Sequence, residues 1–160
     1  MDKGFTGRVA SLHMHPTVAG EAMVGSDVFT LVAEKGIREN KRYFGGVNYG
    51  KPSKRQVTLI EREVIQEHAD ALQHPGFAPG EVRSNIETTG VDLVSLIGRR
   101  VQVGEAVLEF VEARTPCGKM DALASGLRNL MENGRQGVIA RVVCDGIVCV
   151  GDAVIPEQSC

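Results

Sequence analysis

The 160-residue sequence predicts a mainly β protein with two or more short helices, its strands closed or nearly closed into a barrel. Three observations predict this. Short apolar runs, alternating or continuous, recur along the chain. Nineteen glycines and six prolines interrupt them, and there is no tryptophan; glycine and proline are the residues that turn a chain. Only two stretches repeat their apolar residues at helical spacing. A strongly bent sheet closed on itself, with helices plugging or flanking it, buries such a set economically.

Residues 7–14 (GRVASLHM) alternate apolar and polar side chains before Pro16 and predict a first strand. The nearly continuous apolar run 28–33 predicts a buried strand. A charged stretch, 34–42, and the glycine-punctuated residues 45–52 then form a long polar loop. Next, Val64, Ile65, Ala69 and Leu72 recur at helical spacing. Thr58 and Glu61 have the T-x-x-E spacing of a capping box, so a helix is expected to start near Leu59. Residues 74–80 (HPGFAPG) read as a turn, and 81–88 as another alternating strand. Two strands are expected at 101–103 and 106–113, joined by a tight turn at Gly104-Glu105. Met120, Leu123, Leu127, Leu130 and Met131 lie on one helical face, with Gly134 as a left-handed stop after Asn133. Asp145-Gly146 between apolar runs predicts a hairpin of 137–144 with 147–151.

A chain of this length can bury a core without staples, and it predicts one domain over 1–160 with its core at about 5–155 and a loose tail at 156–160. Hydrophobic residues are 42% and charged residues 24%, and no apolar run approaches the roughly 20 residues of a membrane helix. The first residues, MDKGF, contain no apolar signal core, so a cytoplasmic protein is expected. A net charge of −2 gives the whole molecule no attraction for nucleic acid or acidic membranes. Cysteines at 117, 144, 149 and 160 and histidines at 13, 15, 68 and 74 lack the spacing of a zinc site.

Cys117 follows Pro116 at a strand-to-helix junction, with Arg114 and Lys119 nearby. A helix N-terminus and positive charge favour a thiolate, which is both a nucleophile and a soft metal ligand. A small apolar residue packed in a core is the plainer account of a lone cysteine. Cys144 and Cys149, diagonal across the expected hairpin, read as strand packing, and Cys160 as incidental. Arg83, Asn85 and Thr88 share one face of the expected strand 81–88. Facing inward they would need a polar ligand or one another; facing outward they are a solvated surface. Lys35, Arg38, Lys41, Arg42, Lys51, Lys54 and Arg55 make the central loop basic. That is either a solvated surface or an electrostatic funnel for a phosphate-bearing ligand.

An ordered set of segments resembles the molybdenum cofactor sulfurase C-terminal (MOSC) domain family: GRV at 7–9, RQVTLI at 55–60, GEVRSNI at 80–86, TGVDL at 89–93, IGRRVQVG at 97–104, RTPCG at 114–118, GVIARV at 137–142 and VGDAV at 150–154. The resemblance implies a β-barrel that handles a molybdenum-pterin cofactor. It implies that Cys117 ligates molybdenum or carries sulfur for it, and that Arg83 and Asn85 hold the cofactor's phosphate and pterin. By a looser match Thr58 and Thr115 contact the same ligand. Where many relatives carry a glycine-aspartate-arginine run, this chain has Asn40 and Lys41, which changes the contacts of that loop.

Three functions follow as expectations. One is a reductase of N-hydroxylated small molecules fed by an electron-donor protein. The second is a carrier or chaperone of cofactor or sulfur that works with cofactor-biosynthesis proteins. The third is a small barrel that binds a partner without any cofactor. None involves nucleic acid or a membrane.

Overall fold

A computed structural model describes residues 7–156. Its strands are β1 (Gly7–Met14), β2 (Val24–Ser26), β3 (Val28–Val32), β4 (Gly36–Ile37), β5 (Val47–Asn48), β6 (Lys51–Pro52) and β7 (Val57–Glu61). After helix α1 (Arg62–Ala71) come β8 (Ile86–Thr89), β9 (Arg100–Val103) and β10 (Ala106–Ala113). Helices α2 (Gly118–Leu123) and α3 (Leu127–Leu130) precede β11 (Val138–Cys144), β12 (Gly146–Cys149) and β13 (Ala153–Pro156).

The main sheet runs β13-β9-β10-β11-β7-β8-β1, and β13 pairs back onto β1, so seven strands close a barrel with β2 appended to β1. Closure leaves no open edge among those seven. All described pairings are antiparallel except β7 with β8. Parallel neighbours need a long return connection, and α1 supplies it.

Strand β7 is buried along its whole length because it separates two cores. Val57 and Leu59 point into the barrel with Phe29, Leu31, Leu108 and Phe110. Ile60, on the other face, packs with Ile65 and Ala69 of α1 and with Met120, Leu127 and Met131 beside them. The helices therefore flank the barrel.

Five local expectations are corrected. The helix expected from Leu59 begins three residues later. Residues 57–61 are held as a strand between β11 and β8, and Glu61, the residue before α1, makes no capping bond but accepts the amide of Leu93 at 3.2 Å. Strand 81–88 shortens to β8, because Arg83 adopts a left-handed φ of 65° and the chain turns there. Arg83, Asn85 and Thr88 thus do not form one strand face, and Thr88, an odd number of residues from both, would face the other side even of an unbroken strand. The second helix is broken into α2 and α3 at Gly126, whose φ of 91° interrupts it. The stop at Asn133 and Gly134 is present, both left-handed at 59° and 83°.

The hairpin at Asp145-Gly146 does not form. A two-residue turn of that kind needs left-handed backbone, and neither residue has it. The chain runs on through β12, which pairs with β3 and covers its edge. At the end, residues 153–156, for which the sequence reading expected no strand, pair with β9 in the barrel, so Pro156 closes a strand where the loose tail was expected to begin; the remainder of that tail, 157–160, and residues 5–6 of the expected core lie outside the described residues.

Candidate functional site

The segment after β10 is fixed at both ends. The Arg114 amide donates to the Gly137 carbonyl at 3.0 Å, Pro116 is buried, and the Met120 amide donates to the Cys117 carbonyl at 3.1 Å as α2 begins. Cys117 sits at the N-cap of α2 in extended backbone, and its thiol is free and exposed. With six residues α2 has a small macrodipole, so side-chain charge dominates the local field.

That charge lines a cavity of about 130 Å³ formed by His15, Arg42, Tyr43, Arg55, Arg83, Arg114, Thr115, Cys117, Lys119, Met120 and Gln136. Four arginines and a lysine face it, and no carboxylate does. The Arg114 guanidinium donates to the Arg83 carbonyl at 3.0 Å and the Ser84 hydroxyl at 3.1 Å, which pins the left-handed turn at Arg83. Burial first, and then repulsion from Arg55, pulls Arg114 down to about 10, while Cys117 and Tyr43 act in the opposite direction. Uncompensated cations gathered this closely are electrostatically costly and favour a bound anion.

The sequence reading did not find His15, Tyr43 or Gln136. Gln136 is 2% exposed, and its Oε1 has no hydrogen-bond partner. Buried carboxamides are normally satisfied, so an unspent one in a cavity wall points to a ligand. Its lone position before Gly137 carries no sequence signal. The Tyr43 ring lies under the Arg55 guanidinium at 5.0 Å and edge-on to His15 at 4.6 Å.

Asn40, buried at the end of the polar loop, accepts the His15 backbone N–H on Oδ1 at 2.7 Å and contacts His15 Nδ1 through the same oxygen at 3.1 Å. Burial first, and then repulsion from Arg55, Arg114 and Arg83, lowers the imidazole to about 4 against the raising effect of that hydrogen bond. His15 is therefore neutral in the fold at neutral pH. Between its ordinary value of 6.5 and about 4, the unfolded chain holds a proton that the folded chain lacks, so stability is lost as the pH falls through this window. Denaturant unfolding of His15→Gln should show a shallower fall across that range than the parent protein; an identical slope would contradict a buried neutral imidazole.

Of the residues singled out in the sequence, Cys117, Thr115, Arg83 and Arg55 meet in this cavity. Asn85 and Thr58 do not line it; they are buried, 2% and 1% exposed, and bond to each other. Asn85 Oδ1 accepts the amide and the hydroxyl of Thr58, each at 3.1 Å, and Asn85 Nδ2 donates to the His13 carbonyl at 3.1 Å. Lys41 is outside the cavity, in a neighbouring groove of about 520 Å³ that shares His15 and Arg42 with it. A larger groove of about 600 Å³ elsewhere carries Glu61, Glu63 and Asp92, the wrong sign for a phosphate.

A family model described as the MOSC domain matches residues 11–155. No curated protein matches the chain. Among solved structures, the YuaD protein from Bacillus subtilis superposes with a TM-score of 0.79 at 20% identity, covering 96% of this chain and 97% of its own. YiiM from Geobacillus stearothermophilus gives 0.72 at 13% identity, covering 95% and 75%, and YiiM from Escherichia coli gives 0.66 at 20%, covering 98% and 70%. These likenesses show a shared fold.

Proposed function

Because the chain belongs to the MOSC domain family, associated with molybdenum cofactor binding and sulfur-related functions, we propose that it holds a molybdenum-pterin cofactor at the Cys117 cavity. The observation that carries this reading is the cavity itself, in which a free thiol meets five cationic side chains and no carboxylate.

The residues present fit such a group. Cys117 Sγ is a soft donor suited to molybdenum. The planar forks of Arg55, Arg83 and Arg114 suit phosphate oxygens, and the unspent Gln136 carboxamide suits a heterocycle's polar edge. A cavity of about 130 Å³ is smaller than the roughly 300 Å³ at which sites for organic ligands begin, so it takes only one end of the cofactor. The remainder has the groove of about 520 Å³ beyond His15 and Arg42, and one of about 310 Å³ that shares Arg83.

When bound, the cofactor supplies two-electron chemistry, which fits reduction of an N–OH group to N–H with uptake of two protons and release of water, the electrons coming from a separate donor protein. The chain's own residues anchor and orient. Arg114 holds the turn that carries Arg83, the buried pair of Asn85 and Thr58 ties that segment to β7, and Cys117 presents an exposed sulfur.

The exposure of Cys117 favours a second reading, a carrier that passes sulfur or cofactor to another protein. Mass spectrometry separates the two on protein made in a cofactor-producing host and purified without oxygen. An extra, cyanide-labile sulfur on Cys117 is the carrier's signature. Molybdenum and pterin without labile sulfur, together with N–OH reduction once an electron donor is added, is the reductase's; the same content without turnover is a cofactor carrier's. Finding neither, with Cys117 alkylated no faster than Cys149, would contradict both and leave a barrel that binds a partner without cofactor.

A further inference from the structure

The geometry points to a selectivity that goes beyond cofactor binding: we propose that His15 and Gln136 make the Cys117 cavity prefer anions that keep an O–H or N–H donor over anions of the same charge and shape that have none.

The argument begins at Asn40. A backbone N–H can only donate, so the side-chain atom that receives the His15 amide at 2.7 Å must be the oxygen of Asn40. The His15 Nδ1 contact at 3.1 Å reaches that same oxygen, and two acceptors do not attract. Nδ1 must therefore carry the proton. This assignment follows from the bonds alone and fixes the tautomer that a ring's position does not reveal. The edge-on Tyr43 ring at 4.6 Å holds the imidazole in place from another side.

With Nδ1 spent as a donor, the nitrogen left for the cavity is Nε2, a lone pair with no hydrogen. Every other nitrogen-bearing side chain in the wall apart from Gln136 is a cation that only donates, and the hydroxyls of Thr115 and Tyr43 can turn to donate or accept. Nε2 has no such freedom; it only accepts. The Gln136 carboxamide, buried at 2% exposure, adds a carbonyl oxygen that has no partner.

An anion surrounded by donors on most sides and by a fixed lone pair on one side must itself supply a hydrogen there. Without one, two lone pairs oppose each other in a partly desolvated site, and both groups lose a hydrogen bond they had in water. Sites built around such a bond discriminate strongly between partners that can and cannot complete it. The chemistry selected is an anionic oxygen next to an O–H or N–H, as in hydrogen phosphate, an N-hydroxylated acid or the amide edge of an anionic heterocycle.

Inorganic phosphate and sulfate provide the test on the full-length protein, without molybdenum. At mildly alkaline pH both are tetrahedral dianions, and only phosphate has an O–H. Calorimetric titration should show phosphate binding at least about tenfold tighter than sulfate. His15→Gln replaces the fixed acceptor with a carboxamide that can turn its N–H group toward the anion. This variant should bind sulfate more tightly than the parent protein does, and its phosphate preference should shrink to within about threefold. The ¹⁵N spectrum of the imidazole gives an independent readout and should show His15 protonated at Nδ1 alone in the parent protein.

Equal affinities in the parent protein, no binding of either anion at tens of millimolar, or a His15 protonated at Nε2 would each overturn the proposal. So would a His15→Gln variant that folds and keeps the parent's ratio. Because no metal or pterin is involved, failure here is distinct from failure of the cofactor reading.

Discussion

Gly137→Ala is expected to unfold the protein or leave it barely stable. Gly137 has a φ of 75°, and a methyl group there would lie 1.9 Å from the Leu59 carbonyl oxygen and 2.8 Å from the Ile60 Cα. Both obstacles are backbone, in the β7 strand that separates the two cores, so neither can swing aside as a flexible side chain would. Left-handed strain costs about 1–3 kcal/mol and overpacking a similar amount, for a total of roughly 4 kcal/mol. Domains of this size are stable by only about 5–15 kcal/mol. The site would be lost with the fold, because the Gly137 carbonyl receives the Arg114 amide and Gln136 is its neighbour. Circular dichroism and thermal melting check this; a cooperative transition within a few degrees of the parent's would contradict the close packing of β7 and β11 at this point.

Asn85→Ala should be the most damaging change at a residue that the family resemblance assigns to the cofactor. Its carboxamide joins three buried segments: it receives the Thr58 amide and hydroxyl from β7 and donates to the carbonyl of His13 in β1. Truncation leaves those buried groups unpaired at about 1–3 kcal/mol each, so a loss of roughly 3–5 kcal/mol is expected. Asn85→Asp restores the acceptor but turns a carboxylate toward the His13 carbonyl, and it should recover little. Arg83→Met, by contrast, removes a half-buried cation whose one recorded side-chain bond goes to the exposed Glu21 carbonyl at 3.0 Å. It should weaken anion binding with a much smaller loss of stability. Denaturant unfolding with phosphate titration of both variants separates buried support from cavity wall. An Asn85→Ala protein of parental stability would show that its carboxamide serves a ligand rather than the fold.

The barrel was legible because its evidence is local and repeated: alternation in β1, β9 and β10, and glycines between them. What the sequence hid is what distant segments decide. Thr58-Leu-Ile-Glu61 carries a capping-box spacing, yet burial on both faces makes it a strand, and the same burial removes the alternation that would have announced one. Asp145-Gly146 carries a hairpin signal, but the open edge of β3 takes β12 instead. At the site, Cys117, Thr115, Arg83 and Arg55 were visible in motifs and charge. His15, Tyr43 and Gln136 were not, since each is a single polar residue whose meaning arises only when the barrel brings it to the same cavity. The Asn40 departure was visible as a lost carboxylate, and only the fold shows that it sets the hydrogen-bonding sense of His15.

The account rests on Cys117 as the anchor of a molybdenum-pterin group, and the most direct test is the molybdenum and pterin content of wild-type protein and Cys117→Ser, produced in the same cofactor-making host and purified without oxygen. Serine keeps the size and the exposed position of the side chain while removing the soft sulfur. The wild type should carry up to about one molybdenum and one pterin per chain, and Cys117→Ser, with an unchanged melting temperature, should lose the metal. Equal molybdenum in both proteins, or none in either, would contradict the assignment.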